Sequence, residues 1–139
     1  MKGIILFGHG SRTAEYVKPF ERIRDAMAAQ QPAAVVELGF LELTRPSLEE
    51  SIECLAKRGV TEISVVPIFI GPGRHVLKDL PQLAANAMDR HPGLEISLAA
   101  PVGEAQEVID AMARFALGGE PGHKLPQSGL LKKTYIRIY

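Results

Sequence analysis

The run GIILFG, Gly3–Gly8, leads directly into HGSR, His9–Arg12. Ile4, Ile5, Leu6 and Phe7 follow one another with no polar residue between them. A strand with one wet face alternates apolar and polar residues, whereas a strand covered on both faces does not. The same habit returns in EISVVPIFI, 62–70, and two further apolar runs, VVELGFL at 35–41 and LEISLAA at 94–100, make four. Such runs predict the strands of a parallel sheet with helices on both faces.

The segments between them have helical spacing. Tyr16, Phe20, Ile23 and Met27 step by three or four residues through 14–30, with Pro19 in the first turn or at a kink. In RPSLEESIECLAKRG, Ser47 and Glu50 have the spacing of a capping box, Leu48, Ile52 and Leu55 form a stripe, and Gly59 is the stop. In DLPQLAANAMDRHPG, Asp79 is the predicted N-cap with Pro81 just inside, and Pro92 ends the helix. GEAQEVIDAMARFALGG carries Val108, Ile109, Met112 and Phe115 before two closing glycines. The order βαβαβαβα with right-handed crossovers gives a three-layer α/β domain, a flavodoxin-like parallel sheet of about four strands over residues 1–118. Residues 119–139, rich in Pro, Gly and Lys before the alternating TYIRIY, form a C-terminal tail of different character.

A chain of 139 residues with 46% hydrophobic and 23% charged residues suits one globular domain. Sixteen basic residues balance sixteen acidic ones, so nothing points to nucleic acid or to a charged membrane surface. The single cysteine, Cys54, excludes an intramolecular disulfide and is expected in the core of its helix. The apolar run at the N-terminus is too short for a signal peptide or a membrane span, and a cytoplasmic location follows as the expectation.

Open parallel sheets bind ligands beyond the carboxyl ends of their strands. His9 stands there after the first strand, Glu42 after the second, and His75 after the third, just before the predicted third helix. In a sheet where the first strand lies between the second and third, these side chains are expected to converge. Two imidazoles and a carboxylate with positions left open suit a divalent first-row metal. The positive end of a helix beside His75 favours the neutral imidazole that ligation needs. Arg12, Arg45, Arg74 and Lys78 follow the same strand ends and offer a basic rim to an anionic ligand, and the glycines of IGPGRH, Gly73 among them, could cradle an anionic group. No GxxxxGK[ST] or GxGxxG follows any strand, so a nucleotide is not indicated. His91, in DRHPG, is expected to cap a helix.

With LFGHGSR, ELGFLELTRPSLEESI and VVPIFIGPGRHVLKDLP in order, the chain resembles the short-form class II tetrapyrrole chelatases, the single-domain sirohydrochlorin chelatases, over about residues 2–117. The resemblance implies ATP-independent insertion of a divalent metal into sirohydrochlorin, for cobalamin-, sirohaem- or nickel-tetrapyrrole synthesis. The metal is a substrate, Co2+ favoured with Fe2+ or Ni2+ as alternatives, and no organic cofactor is implied. His9 and His75 match the family's metal-facing histidines, and Glu42 its acidic residue. In that scheme His9 ligates and accepts a pyrrolic proton, Glu42 ligates or takes the second proton, and His75 ligates from the opposite side. Arg12, Arg45, Gly73, Arg74 and Lys78 would meet the substrate's carboxylates, and Gly8 and Gly10 would let a flat macrocycle approach the backbone. Longer members carry two such domains about one cleft, so a homodimer is expected. The alternative reading is a non-catalytic carrier of metal or metallo-tetrapyrrole with the same residues.

Overall fold

Four parallel strands, β1 (Lys2–Gly8), β2 (Val35–Phe40), β3 (Glu62–Pro67) and β4 (Glu95–Leu98), pair in the order β2-β1-β3-β4. The computed structural model describes residues 1–71 and 73–118, without the side chains of Arg74, His75 and Leu77. The predicted tail at 119–139 lies outside the described residues. Met1–Ala105 forms one compact unit, and the helix α4 (Gln106–Gly118) belongs to a second.

The uninterrupted apolar run of β1 is explained by a core on each face. Ile5 and Phe7 join Ile63 and Val65 of β3 under α2 (Leu48–Lys57) and α3 (Arg74–Arg90). Leu6 joins Leu38 and Phe40 of β2 under Phe20 of α1 (Lys18–Gln30), with Tyr16, Ile23 and Met27 packed alongside. Alternate residues of one strand therefore enter opposite cores, as the twofold side-chain repeat demands. Phe20, Phe40 and Tyr16 pack as an aromatic triplet with ring centroids 5.0–5.8 Å apart.

Local signals set the helix boundaries. Ser47 accepts from the Glu50 N–H and Glu50 returns the bond to the Ser47 N–H, so the capping box forms as predicted. The 14–30 segment opens with a short 3-10 turn at Ala14–Val17 and becomes α-helical at Lys18, with Pro19 in the first turn where its missing N–H is harmless. His91 closes α3 as expected.

Three expectations need correction. The third helix starts at Arg74 with Gly73 as N-cap, not at Asp79, so Pro81 lies inside it and His75 is in its first turn. β3 ends at Pro67 rather than at residue 70: the Ile68 N–H makes one more bond to the Phe7 carbonyl at 2.8 Å, while on the β4 side Pro67 has no N–H to offer. Cys54 is exposed, not buried. The buried stripe of α2 is Leu48, Ser51, Ile52 and Leu55, and position 54 falls on the far side of that helix. The predicted stripe did not include Ser51, whose Oγ donates to the buried Leu38 carbonyl and so satisfies itself inside the core.

Candidate metal centre at the carboxyl edge of the sheet

Parallel register decides which residues meet beyond the strands. Gly8 pairs with Phe40, and the ladder runs on past the strand ends. The Leu41 N–H donates to the Gly8 carbonyl and the Glu42 N–H to the His9 carbonyl, each at 3.0 Å. Glu42 is thereby fixed beside His9 by backbone alone, and His9 Nε2 lies 3.1 Å from Glu42 Oε1. Both side chains are about half exposed, 49% and 57%. Two donor atoms about 3 Å apart have the separation of neighbouring ligands on one ion, since each bond to it would be about 2.0–2.2 Å.

Two further contacts lock this edge. The Ser11 N–H donates to Thr44 Oγ1, and the same hydroxyl donates to the Ser11 carbonyl, both at 2.9 Å. The Gly10 N–H donates to the Tyr16 hydroxyl at 3.2 Å. The loop 41–46 is closed at its base by the Phe40 N–H on the Pro46 carbonyl at 3.0 Å. At its tip the Thr44 N–H donates to the Glu42 carbonyl at 2.7 Å around Leu43, which has φ 65°. Thr44 and Tyr16 escaped the sequence reading because neither is of a type that ligates or titrates near neutrality. Only a hydroxyl in a loop after a strand marks Thr44.

The glycines flanking His9 serve a different purpose from the one expected. A Cβ on Gly8 would lie 2.4 Å from Phe20 Cζ and 2.8 Å from the Tyr16 hydroxyl. A Cβ on Gly10 would lie 1.6 Å from the Glu42 carbonyl oxygen, and Gly10 has φ +103°. Protein already fills the space beside both glycines. They let the two loops interlock rather than leaving room for a ligand.

The other predicted residues are placed as follows. Gly73 is the N-cap of α3, exposed, with open space where a Cβ would be. Arg12 and Lys78 are exposed. The Arg45 guanidinium bonds Glu50, which holds that carboxyl down at about 2, with the Ser47 N–H assisting. The remaining donors of the Arg45 fork stay available. The side chains of His75 and Arg74 lie outside the described residues. Among the described residues no three His, Cys, Asp or Glu side chains gather, so His9 and Glu42 are the pair the structure brings together. A cavity of about 840 Å3 opens at the opposite edge, beside Lys2, Val35, Glu62 and Glu95 at the strand starts, away from this pair.

A doubly wound parallel sheet with an imidazole–carboxylate pair at its carboxyl edge defines a class of α/β proteins that hold a ligand beyond their strand ends. Within that class the chain belongs to the CbiX family, whose model matches residues 3–116. It is 34% identical over 113 residues to the sirohydrochlorin ferrochelatase of Bacillus subtilis strain 168, covering 81% of this chain and 43% of that protein. It is 40% identical over 79 residues to a sirohydrochlorin cobaltochelatase of Methanosarcina acetivorans, covering 57% of this chain and 61% of that one. The chain thus spans roughly half the length of these relatives. Among solved structures, a CbiX protein of Marinobacter aquaeolei VT8 matches with TM-score 0.74 and 29% identity, over 84% of this chain and 95% of its own. The sirohydrochlorin chelatase SirB of Bacillus subtilis subspecies spizizenii, solved with cobalt, matches with TM-score 0.71 and 33% identity over 84% of this chain and 50% of that one. No described helix is long and apolar enough to cross a membrane.

Proposed function

We propose that this protein is a sirohydrochlorin chelatase that inserts a divalent metal, Co2+ first, with Fe2+ and Ni2+ as the other substrates to compare. The carrying observation is the 3.1 Å His9–Glu42 pair on an exposed sheet edge of a CbiX-family fold. The names of the relatives, cobaltochelatase and ferrochelatase, supply the substrate class. His9 and Glu42 hold the incoming ion with His75 as third ligand. The exposure of the pair leaves positions open for water and for ring nitrogens. As the ion passes to the macrocycle, two pyrrolic N–H bonds break, and the electron pairs left on nitrogen bind the metal. The two protons leave through the freed imidazole of His9 and the carboxylate of Glu42. Arg12, Arg45, Gly73, Arg74 and Lys78 form the rim for the substrate carboxylates. The reaction needs no ATP and no organic cofactor, and runs in the cytoplasm.

Two copies acting together complete the scheme. A large planar ligand needs most of its surface enclosed, and one sheet edge with half-exposed ligands covers a single side. The match covers 84% of this chain but only 50% of the longer SirB chain.

The test is a spectroscopic insertion assay with Co2+, Fe2+ and Ni2+. The wild type is expected to give many metallated products per chain. His9→Ala should lose at least ~99% of the rate with its circular dichroism unchanged, and Glu42→Ala and His75→Ala should also fall steeply. A yield that stops at one product per chain means a carrier instead. Full activity in His9→Ala overturns the assignment.

A further inference from the structure

Two large apolar side chains stand in solvent at the edge that carries His9 and Glu42. Leu43 is 57% exposed and Ile70 is 77% exposed. Each projects from a held backbone. Leu43 sits at φ 65° in the turn closed by the Thr44 N–H on the Glu42 carbonyl, and Thr44 is tied to Ser11 through its hydroxyl. Ile70 is backed by Gly103, where a Cβ would lie 2.2 Å from the Ile70 carbonyl oxygen, and the Gly103 N–H bonds the Phe69 carbonyl at 2.9 Å.

Leucine is a poor occupant of position 43 on local grounds. The left-handed region suits glycine or asparagine and is avoided by residues with a bulky side chain. Burial does not compensate here, because more than half of the side chain is in water. A strained residue at a functional edge that gains nothing from the fold points outward, to a ligand. The strand order sets Leu43 beyond β2, His9 beyond β1 and Ile70 beyond β3. The two apolar residues therefore flank the ligating pair across two strand spacings, about 10 Å.

We propose that Leu43 and Ile70 are the apolar seat for the face of the planar tetrapyrrole, one on each side of the metal site. This rests on the chelatase reading of the same edge. A flat conjugated ring with charges on its rim needs apolar contact under its face as well as cations around its margin. The described edge offers both, with Arg12 and Lys78 exposed as the cations.

The experiment titrates sirohydrochlorin into the metal-free full chain and, separately, Co2+ into the chain without tetrapyrrole. Leu43→Gly and Leu43→Asn accept the turn but remove the apolar contact. Each is expected to weaken sirohydrochlorin binding about tenfold, to leave Co2+ affinity within twofold, and to hold or raise the urea midpoint. Leu43→Met should restore most of the binding, and Ile70→Ala should weaken it several-fold. Sirohydrochlorin binding by Leu43→Gly and Leu43→Asn at the wild-type level overturns the proposal, and so does an equal loss of Co2+ affinity. A wild type that binds no sirohydrochlorin defeats the chelatase reading itself, and is told apart from a wild type that binds it with Leu43 indifferent.

Discussion

Gly10 shows how tightly the edge that carries His9 and Glu42 is built at the level of one residue. Its φ of +103° and the 1.6 Å approach of a would-be Cβ to the Glu42 carbonyl act together. Gly59 has a comparable φ of +87° with nothing within 4 Å. The two positions separate backbone strain from collision. Gly59→Ala should cost about 1 kcal/mol, and Gly10→Ala about 2–4 kcal/mol, both read from urea unfolding. Gly10→Ala should also weaken Co2+ binding, since the displaced group is the backbone of Glu42. Equal costs at the two sites would show that the loops do not interlock. The sequence singles out His9 and Glu42, the ligands proposed here, because they are an imidazole and a carboxylate at strand ends, and the structure sets them 3.1 Å apart. The reason for the glycines was not legible there, because it depends on Phe20, Tyr16 and Glu42, which approach only after the chain folds.

The elements themselves were largely legible, since each carries its own code in composition and spacing. Strand runs without alternation, and the Ser47–Glu50 box, act within a few residues. The start of α3 was misread because Pro81 looks like a first-turn residue, whereas Gly73 caps the helix with no side chain to signal it. Cys54 was misplaced because free cysteine is usually buried, while the position of each residue on α2 is set by Leu48, Ile52 and Leu55.

The first turn of α2 also carries a pH dependence. The Glu50 carboxyl lies near 2 in the folded chain, held by Arg45 and then by the Ser47 N–H, and returns to the ordinary glutamate range on unfolding. A folded-state value below the unfolded one gives stability that is complete above the unfolded value and is lost as pH falls toward about 2. Glu50→Gln removes that dependence. The urea midpoint of the wild type should therefore fall toward that of Glu50→Gln on acidification, and the gap should shrink in high salt because both partners are exposed. A gap that stays constant from neutral pH to strong acid would show that the ion pair contributes nothing.

For the molecule as a whole, the proposed cleft needs a second copy. Sedimentation equilibrium should give twice the 15.1 kDa chain mass at assay concentration, and turnover per chain should fall on dilution below the dimer constant. A monomer that turns over at full rate would remove the enclosure argument. The sheet order was legible as a class of topologies from strand count and handedness. The partnership of His9 with Glu42 needed the actual register, Gly8 against Phe40, which no local pattern encodes.

That register has a further consequence for how such a site can change. The spacing of the two residues' backbones is set by peptide groups, through the Leu41 and Glu42 N–H bonds onto the neighbouring strand end, so that frame does not depend on which side chains stand there. The edge is a socket of fixed gauge. On the proposed reading of this edge, exchanging the tips for sulfur, shorter carboxylate or amide donors changes the donor span and the preferred ion while the backbone frame beneath them stays put.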